Sequence, residues 1–265
     1  MLDSFLTRVF TSHWLVLLIY AVALMAATEI GFRFGLRLHV AKDEGRKSPI
    51  GGIQAAILGL LALLLGFTFA LAVSRYETRR TLIVAEANAI GTTYLRASLL
   101  PESHRTPVKK LLRDYLAARL EYFDAGADQS RVEAALQTAA KIQQELWRHA
   151  EEAAAESPTS IVATFINALN ELIDLDTTRQ NALRTHVPGA VWLILLAVAT
   201  CGCYVSGYSA GSSGARSAFS SYMLPLLIAM VIALIVDLDH PRGGLISIKQ
   251  QALIDLQHSM NDQMP

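Results

Sequence analysis

Four groups of polar residues stand in or beside otherwise apolar runs, and each has the chemistry to pair with or steer an ion. Glu29 and Arg33 lie four residues apart near the end of the first run, so an i,i+4 ion pair is open to them on a helix. The other use of such a carboxylate is in a pore or vestibule, because a charge at membrane depth faces protein or water. After the second run, SRYETRR (residues 74–80) brings Arg75, Arg79 and Arg80 together, and EANAIGTTYLR (residues 86–96) adds Glu86 and Asn88. These groups either pair with headgroups and neighbouring helices or form a vestibule that draws anions. The last run ends in VDLDHPRGG, residues 236–244. Asp237 and Asp239 can accept hydrogen bonds or offer oxygen to a hard cation. Two carboxylates are too few to define a metal site, so no metal is expected. His240 reads as structural, and Gly243 and Gly244 permit a sharp turn.

Other chemistries have no foothold. The chain has no phosphate-cradling glycine loop, no HExxH and no GxSxG elbow. Its seven histidines are scattered, so neither an enzyme nor a cofactor is expected. With 23 basic and 23 acidic residues and no basic stripe interleaved with aromatics, nothing points to nucleic acid. Cys201 and Cys203, two apart in an apolar run, point to different helix faces and read as buried thiols rather than a disulfide or metal pair.

The elements that must position these groups are membrane helices. Of 265 residues, 52% are hydrophobic and 17% charged, against about 25% charged in ordinary soluble domains. Four stretches reach the roughly 20 apolar residues that a span requires: about 13–32, 50–73, 190–208 and 219–236. The first has an alternative reading as a signal peptide, given Arg8 before it and the small residues of AVALMAAT. Orientation is balanced. Arg33, Arg37, Lys42, Arg46 and Lys47 in the first loop would place that side in the cytoplasm, while a comparable number of basic residues lies opposite. The organisation expected is a transmembrane hairpin over 1–75, an extramembrane helical domain over 76–186, a second hairpin over 187–238 and an amphipathic tail over 239–265.

No alternation in residues 76–186 suggests a strand. The second span should continue outward as helix, since no proline interrupts residues 74–100 and Leu82, Ala85, Ala89 and Ile90 recur at helical spacing. Unbroken from 50 to 100 it would be about 75 Å long; Gly91 is a possible bend and Pro101 an end. A further helix is expected from Thr106 and Pro107 with Val108, Leu111, Leu112, Tyr115 and Leu120 as its stripe, closed by Gly126. Ser130 and Glu133 suggest a capping box for the next, which buries Val132, Leu136, Ile142, Leu146 and Trp147. Another starts at Pro158, with Ile161, Val162, Phe165, Ile166, Leu169, Leu172 and Ile173 apolar.

Two faces of the second span differ. Gly52, Ala55, Gly59, Ala62, Gly66 and Ala70 form a small-residue face suited to helix–helix contact. Leu60, Leu63, Phe67, Leu71 and Ser74 occupy another face, which could gate a pore by dewetting or simply meet lipid.

The blocks GFTFALAVSRYETRR, EANAIGTTYLRASLLP and DLDHPRGGLISIKQQALIDL resemble a bacterial family of bestrophin-like membrane proteins. The resemblance covers most of the chain and implies an all-α integral membrane protein with four transmembrane helices and an extramembrane helical bundle between the second and third. It further implies a homo-oligomer, a pentamer by likeness to bestrophin anion channels, with its helical domain cytoplasmic and the protein in the bacterial inner membrane. By that likeness Phe67 and Leu71 are neck residues, and the turn after Asp237 is akin to a calcium-binding turn of animal members; its short acidic run, broken by His240 and Arg242, argues against calcium control. Two functions follow as expectations. One is a channel-like homo-oligomer passing anions around the second span. The other is a membrane sensor or scaffold whose helical domain binds a protein partner.

Overall fold

A computed structural model describes residues 13–39, 50–126, 128–214, 218–239, 246 and 248–262. Among them there is no strand; every regular element is helical. The elements are α1 (His13–His39), α2 (Ile50–Ala97), α3 (Glu102–Asp124), α4 (Gln129–Glu156), α5 (Ser160–Arg184), α6 (Gly189–Ser212), α7 (Ala218–Asp239) and α8 (Gln251–Asp262). Four segments, within α1, α2, α5–α6 and α7, are long and apolar enough to cross a membrane. The chain is therefore an all-α, multi-pass integral membrane protein. It divides into a unit of residues 1–74 and 186–246 and a unit of residues 75–185 and 247–265.

In the first unit, α1, α6 and α7 pack around Leu24, Leu195, Ala199, Cys203, Ile228 and Ile232. Two glycine pairs set the closest approach. A Cβ on Gly31 or Gly35 of α1 would strike the carbonyl oxygens of Tyr204 and Tyr208 on α6, and one on Gly207 or Gly211 would strike those of Thr28 and Phe32 on α1. Reciprocal GxxxG pairs of this kind suit a membrane, where lipid is as apolar as leucine and helices associate through close packing. Cys203 is buried here, but Cys201 is exposed, so the expectation of two buried thiols holds for one. Two residues along a helix turn Cys201 away from the α1 contact.

In the second unit, α2 beyond Ser74 joins α3, α4, α5 and α8 around one apolar core that includes Ile90, Leu112, Tyr115, Leu146, Phe165 and Leu169. α2 runs unbroken through Gly91, which lies 3.3 Å from Leu256 Cδ1 by its ideal Cβ: a packing position rather than a bend. Local starts differ from the sequence pattern. α3 begins at Glu102, with Pro101 before it and Pro107 inside its first turns. Asp128, not Ser130, caps α4 by accepting from the Ser130 and Arg131 backbone N–H groups. Asp128 is held below the usual carboxylate range by the Ser130 hydroxyl and the Arg131 N–H. Thr159 caps α5 one residue after Pro158, its hydroxyl oxygen accepting from the Val162 N–H. Gly126, at φ +53°, closes α3 in a conformation glycine adopts without strain. One expected core residue lies outside: Trp147 is exposed and donates to Glu151. The apolar Ile161 is also exposed, at the first turn of α5.

Candidate functional site

The second span is the least covered of the four: 17% of its apolar window is buried within the chain, against 50% for the fourth. Leu58, Leu61, Leu64 and Leu65 form its packed side. Gln54 adds a polar tie, donating to Ser206 Oγ at 3.1 Å. Leu60, Leu63, Phe67, Leu71 and Ser74 are exposed, Phe67 at 67%. Gly52, Ala55, Gly59, Ala62, Gly66 and Ala70 are exposed as well. Among the described residues of one chain, then, the small-residue face is not the helix–helix contact its composition suggests. At Gly52, Gly59 and Gly66 an added Cβ would meet nothing within 4 Å.

Glu29 and Arg33 do meet. Arg33 Nε donates to Glu29 Oε1 at 2.8 Å, and the Tyr222 hydroxyl donates to Glu29 Oε2 at 3.3 Å. The carboxylate is thereby tied to α7 as well as to its own helix. At the end of α7, Asp237 and Asp239 are buried. Asp237 Oδ2 accepts the Ile246 N–H at 2.9 Å, and Asp239 Oδ2 accepts the Val187 N–H at 3.0 Å. Both carboxylates thus take backbone donors at chain junctions. His240, Arg242, Gly243 and Gly244 lie outside the described residues.

Beyond Ser74 the charged residues of α2 part company. Arg80 is exposed, with Nη1 3.9 Å from Glu77 Oε2, and Asn88 is exposed. Arg75 is half-buried. Arg79 is buried and donates to the carbonyls of Ala182 at 3.1 Å and Thr185 at 2.8 Å, closing the end of α5 where carbonyls lack helical partners. Glu86 is fully buried between two arginines the sequence pattern did not single out. Arg119 Nε donates to Glu86 Oε1 at 2.6 Å, and Arg179 pairs with Glu86 Oε2. Arg119 Nη1 also lies 2.8 Å from Asp176 Oδ1. Asp176 Oδ2 accepts from Gln143 at 3.0 Å and from Gln180 at 3.1 Å, while Arg179 donates to Gln250 Oε1 at 2.8 Å. Two buried cations thus face two buried carboxylates inside an apolar bundle. Burial pulls the Arg179 guanidinium down, and Glu86 against it keeps it charged. Burial likewise pushes the neighbouring Tyr115 hydroxyl up to about 12, so it stays protonated.

That buried arginines need a counter-charge was within reach of the sequence; which carboxylate meets them was not. Arg119 and Arg179 fall on the apolar stripes of α3 and α5, one turn beyond Leu116 and two turns beyond Leu172, where a charge needs a buried counter-charge. The GFRFG and GYSAG motifs were likewise readable as close-packing signals.

A family model described as Bestrophin-like domain matches residues 23–253. No curated protein matches by sequence. Among solved structures, a bacterial bestrophin homologue from Klebsiella pneumoniae carrying a point substitution superposes with a TM-score of 0.69 at 16% identity, over 93% of this chain and 98% of that one. A second variant of the Klebsiella homologue gives 0.67 at 18%, over 93% and 97%. A membrane protein with a proline-to-alanine change gives 0.69 at 16%, over 94% and 97%. At such identities the likeness establishes the fold.

Proposed function

The chain belongs to the bestrophin-like family, and from that premise we propose that it assembles as a homo-oligomeric, channel-like protein that passes anions along the second span. One observation carries the reading: among the described residues, α2 leaves both its small-residue face and its large apolar face uncovered. Close packing of the first against a neighbouring copy would turn the second toward a common axis. Leu63, Phe67 and Leu71 then form an apolar neck of the kind that gates by dewetting, with Ser74 at its end. Arg75 and Arg80, next on the same helix, supply positive potential for anions, and Asn88 extends this polar lining. Arg79 and Glu86 act behind that lining: one closes α5 and the other is held between arginines. Glu29 with Arg33 serves as an ion pair beside the span. We assign the protein to a bacterial inner membrane with residues 76–186 on the cytoplasmic side, and take five as the copy number by likeness to bestrophins. Mass photometry of the purified protein and chloride efflux from proteoliposomes test the proposal together. A closed oligomer with efflux above that of empty vesicles supports it. A monomer, or an oligomer without efflux, contradicts it and favours a sensor or scaffold.

A further inference from the structure

The open end of the α3–α4 hairpin gathers side chains that the channel reading does not use. His104, in the first turn of α3, is buried, and His149, near the end of α4, is half-buried. Their Nδ1 atoms approach to 3.0 Å. Glu152, one turn beyond His149, places Oε2 at 3.9 Å from His104 Nδ1 and 3.8 Å from His149 Nδ1. A point equidistant from three atoms so spaced lies about 2.1 Å from each, which is the length of a zinc–imidazole or zinc–carboxylate bond. We propose that His104, His149 and Glu152 form a binding site for zinc or a similar borderline divalent cation, clipping the start of α3 to the end of α4.

Three further features leave these atoms able to ligate a metal. Glu156 Oε2 lies 3.2 Å from His104 Nε2, the ring nitrogen away from the proposed ion. A carboxylate there holds the proton on Nε2 and leaves the Nδ1 lone pair free to ligate. That carboxylate is itself fixed, since Ser103 Oγ donates to Glu156 Oε2 at 2.9 Å. Glu152 is oriented too: Arg148 Nη1 donates to its Oε1 at 2.7 Å, leaving Oε2 toward the histidines. Burial, with Arg148 and His104 beside it, lowers His149 below its ordinary range, so the ring is neutral and able to ligate near pH 7. Two imidazole nitrogens and one carboxylate oxygen favour zinc over calcium or magnesium, which prefer all-oxygen sets. Three protein ligands leave a fourth position for water. The ligands lie 45 residues apart in sequence, so the ion closes a long loop of the bundle.

The test uses the untagged full-length protein in detergent, stripped of metal and titrated with zinc against a chromophoric chelator. We expect one zinc per chain. His149→Ala should weaken binding at least a hundredfold and Glu152→Gln about tenfold, while Glu156→Gln, acting on His104 from behind, should weaken it about 10–100-fold. Cobalt in the same site should give a visible d–d spectrum that His149→Ala abolishes. Helical content and thermal melts without metal check the fold. Should His149→Ala fail to fold, the exposed Glu152→Gln still reports. A wild type that takes up no stoichiometric zinc, or variants whose titrations superimpose on it, overturns the proposal.

Discussion

In the membrane unit two backbones meet through Gly31, Gly35, Gly207 and Gly211, whereas in the bundle unit the most buried polar association is made by four charged side chains, Glu86, Arg119, Asp176 and Arg179. The two devices answer two solvents. Lipid offers no hydrophobic reward for bringing helices together, so α1 and α6 rely on close backbone approach and dispersion. Water does reward apolar burial, so the bundle has a broad apolar core and can hold buried charges in it, provided each is paired.

The comparison breaks most visibly at the glycines. Gly207→Leu drives a side chain into the Thr28 carbonyl, and backbone cannot yield as a flexible side-chain end can. We expect destabilisation above about 3 kcal/mol and loss of the monodisperse peak in detergent size-exclusion chromatography. The same change at Gly59, where nothing lies near, should leave a single chain folded and act only on assembly.

The bundle should break at its counter-charge. Glu86→Leu removes the carboxylate shared by Arg119 and Arg179, leaving Arg119 with Asp176 and taking from Arg179 its carboxylate partner. A loss of about 3–5 kcal/mol is expected, read as a lowered thermal midpoint by circular dichroism. A Glu86→Leu melt matching wild type would show that the bundle does not depend on this pairing.

Much of this organisation is legible in the sequence, and the parts that are not share a cause. Apolar runs of 18 or more residues declare the spans, and proline-free helical spacing declares the long α2, because both signals are local and periodic. Partners were harder to read. That Glu86 meets Arg119 and Arg179, 33 and 93 positions away, depends on which stripes face inward across three helices. The His104–His149 approach depends in the same way on the register of an antiparallel hairpin. Helix starts shifted where two signals competed: Asp128 outcompeted Ser130 for the α4 cap because its carboxylate reaches two backbone N–H groups. The two exposed faces of α2 were visible as patterns, since each repeats every three or four residues.

A smaller effect sharpens the bundle side. His149 titrates below its ordinary value of 6.5 in the folded protein, through burial, Arg148 and His104, with Glu152 and Glu145 opposing. The unfolded chain therefore takes up a proton first as pH falls. Metal-free stability should be fully present above about pH 6.5 and decline as pH drops through and below that value. Urea unfolding at a series of pH values, compared between wild type and His149→Asn, measures this. The smallest effect belongs to Phe67→Ala: with the side chain exposed, single-chain stability should change by about 0.5 kcal/mol or less.

That near-silence in stability makes Phe67 the sharpest probe of the channel reading. Purified wild type and Phe67→Ala should be recorded in planar bilayers under a chloride gradient. If the second span lines an anion pathway, wild type conducts with a reversal potential toward that of chloride, and removing the phenyl ring raises the current or alters its gating. Silence in wild type, or indistinguishable records from the two proteins, would contradict an ion pathway along α2.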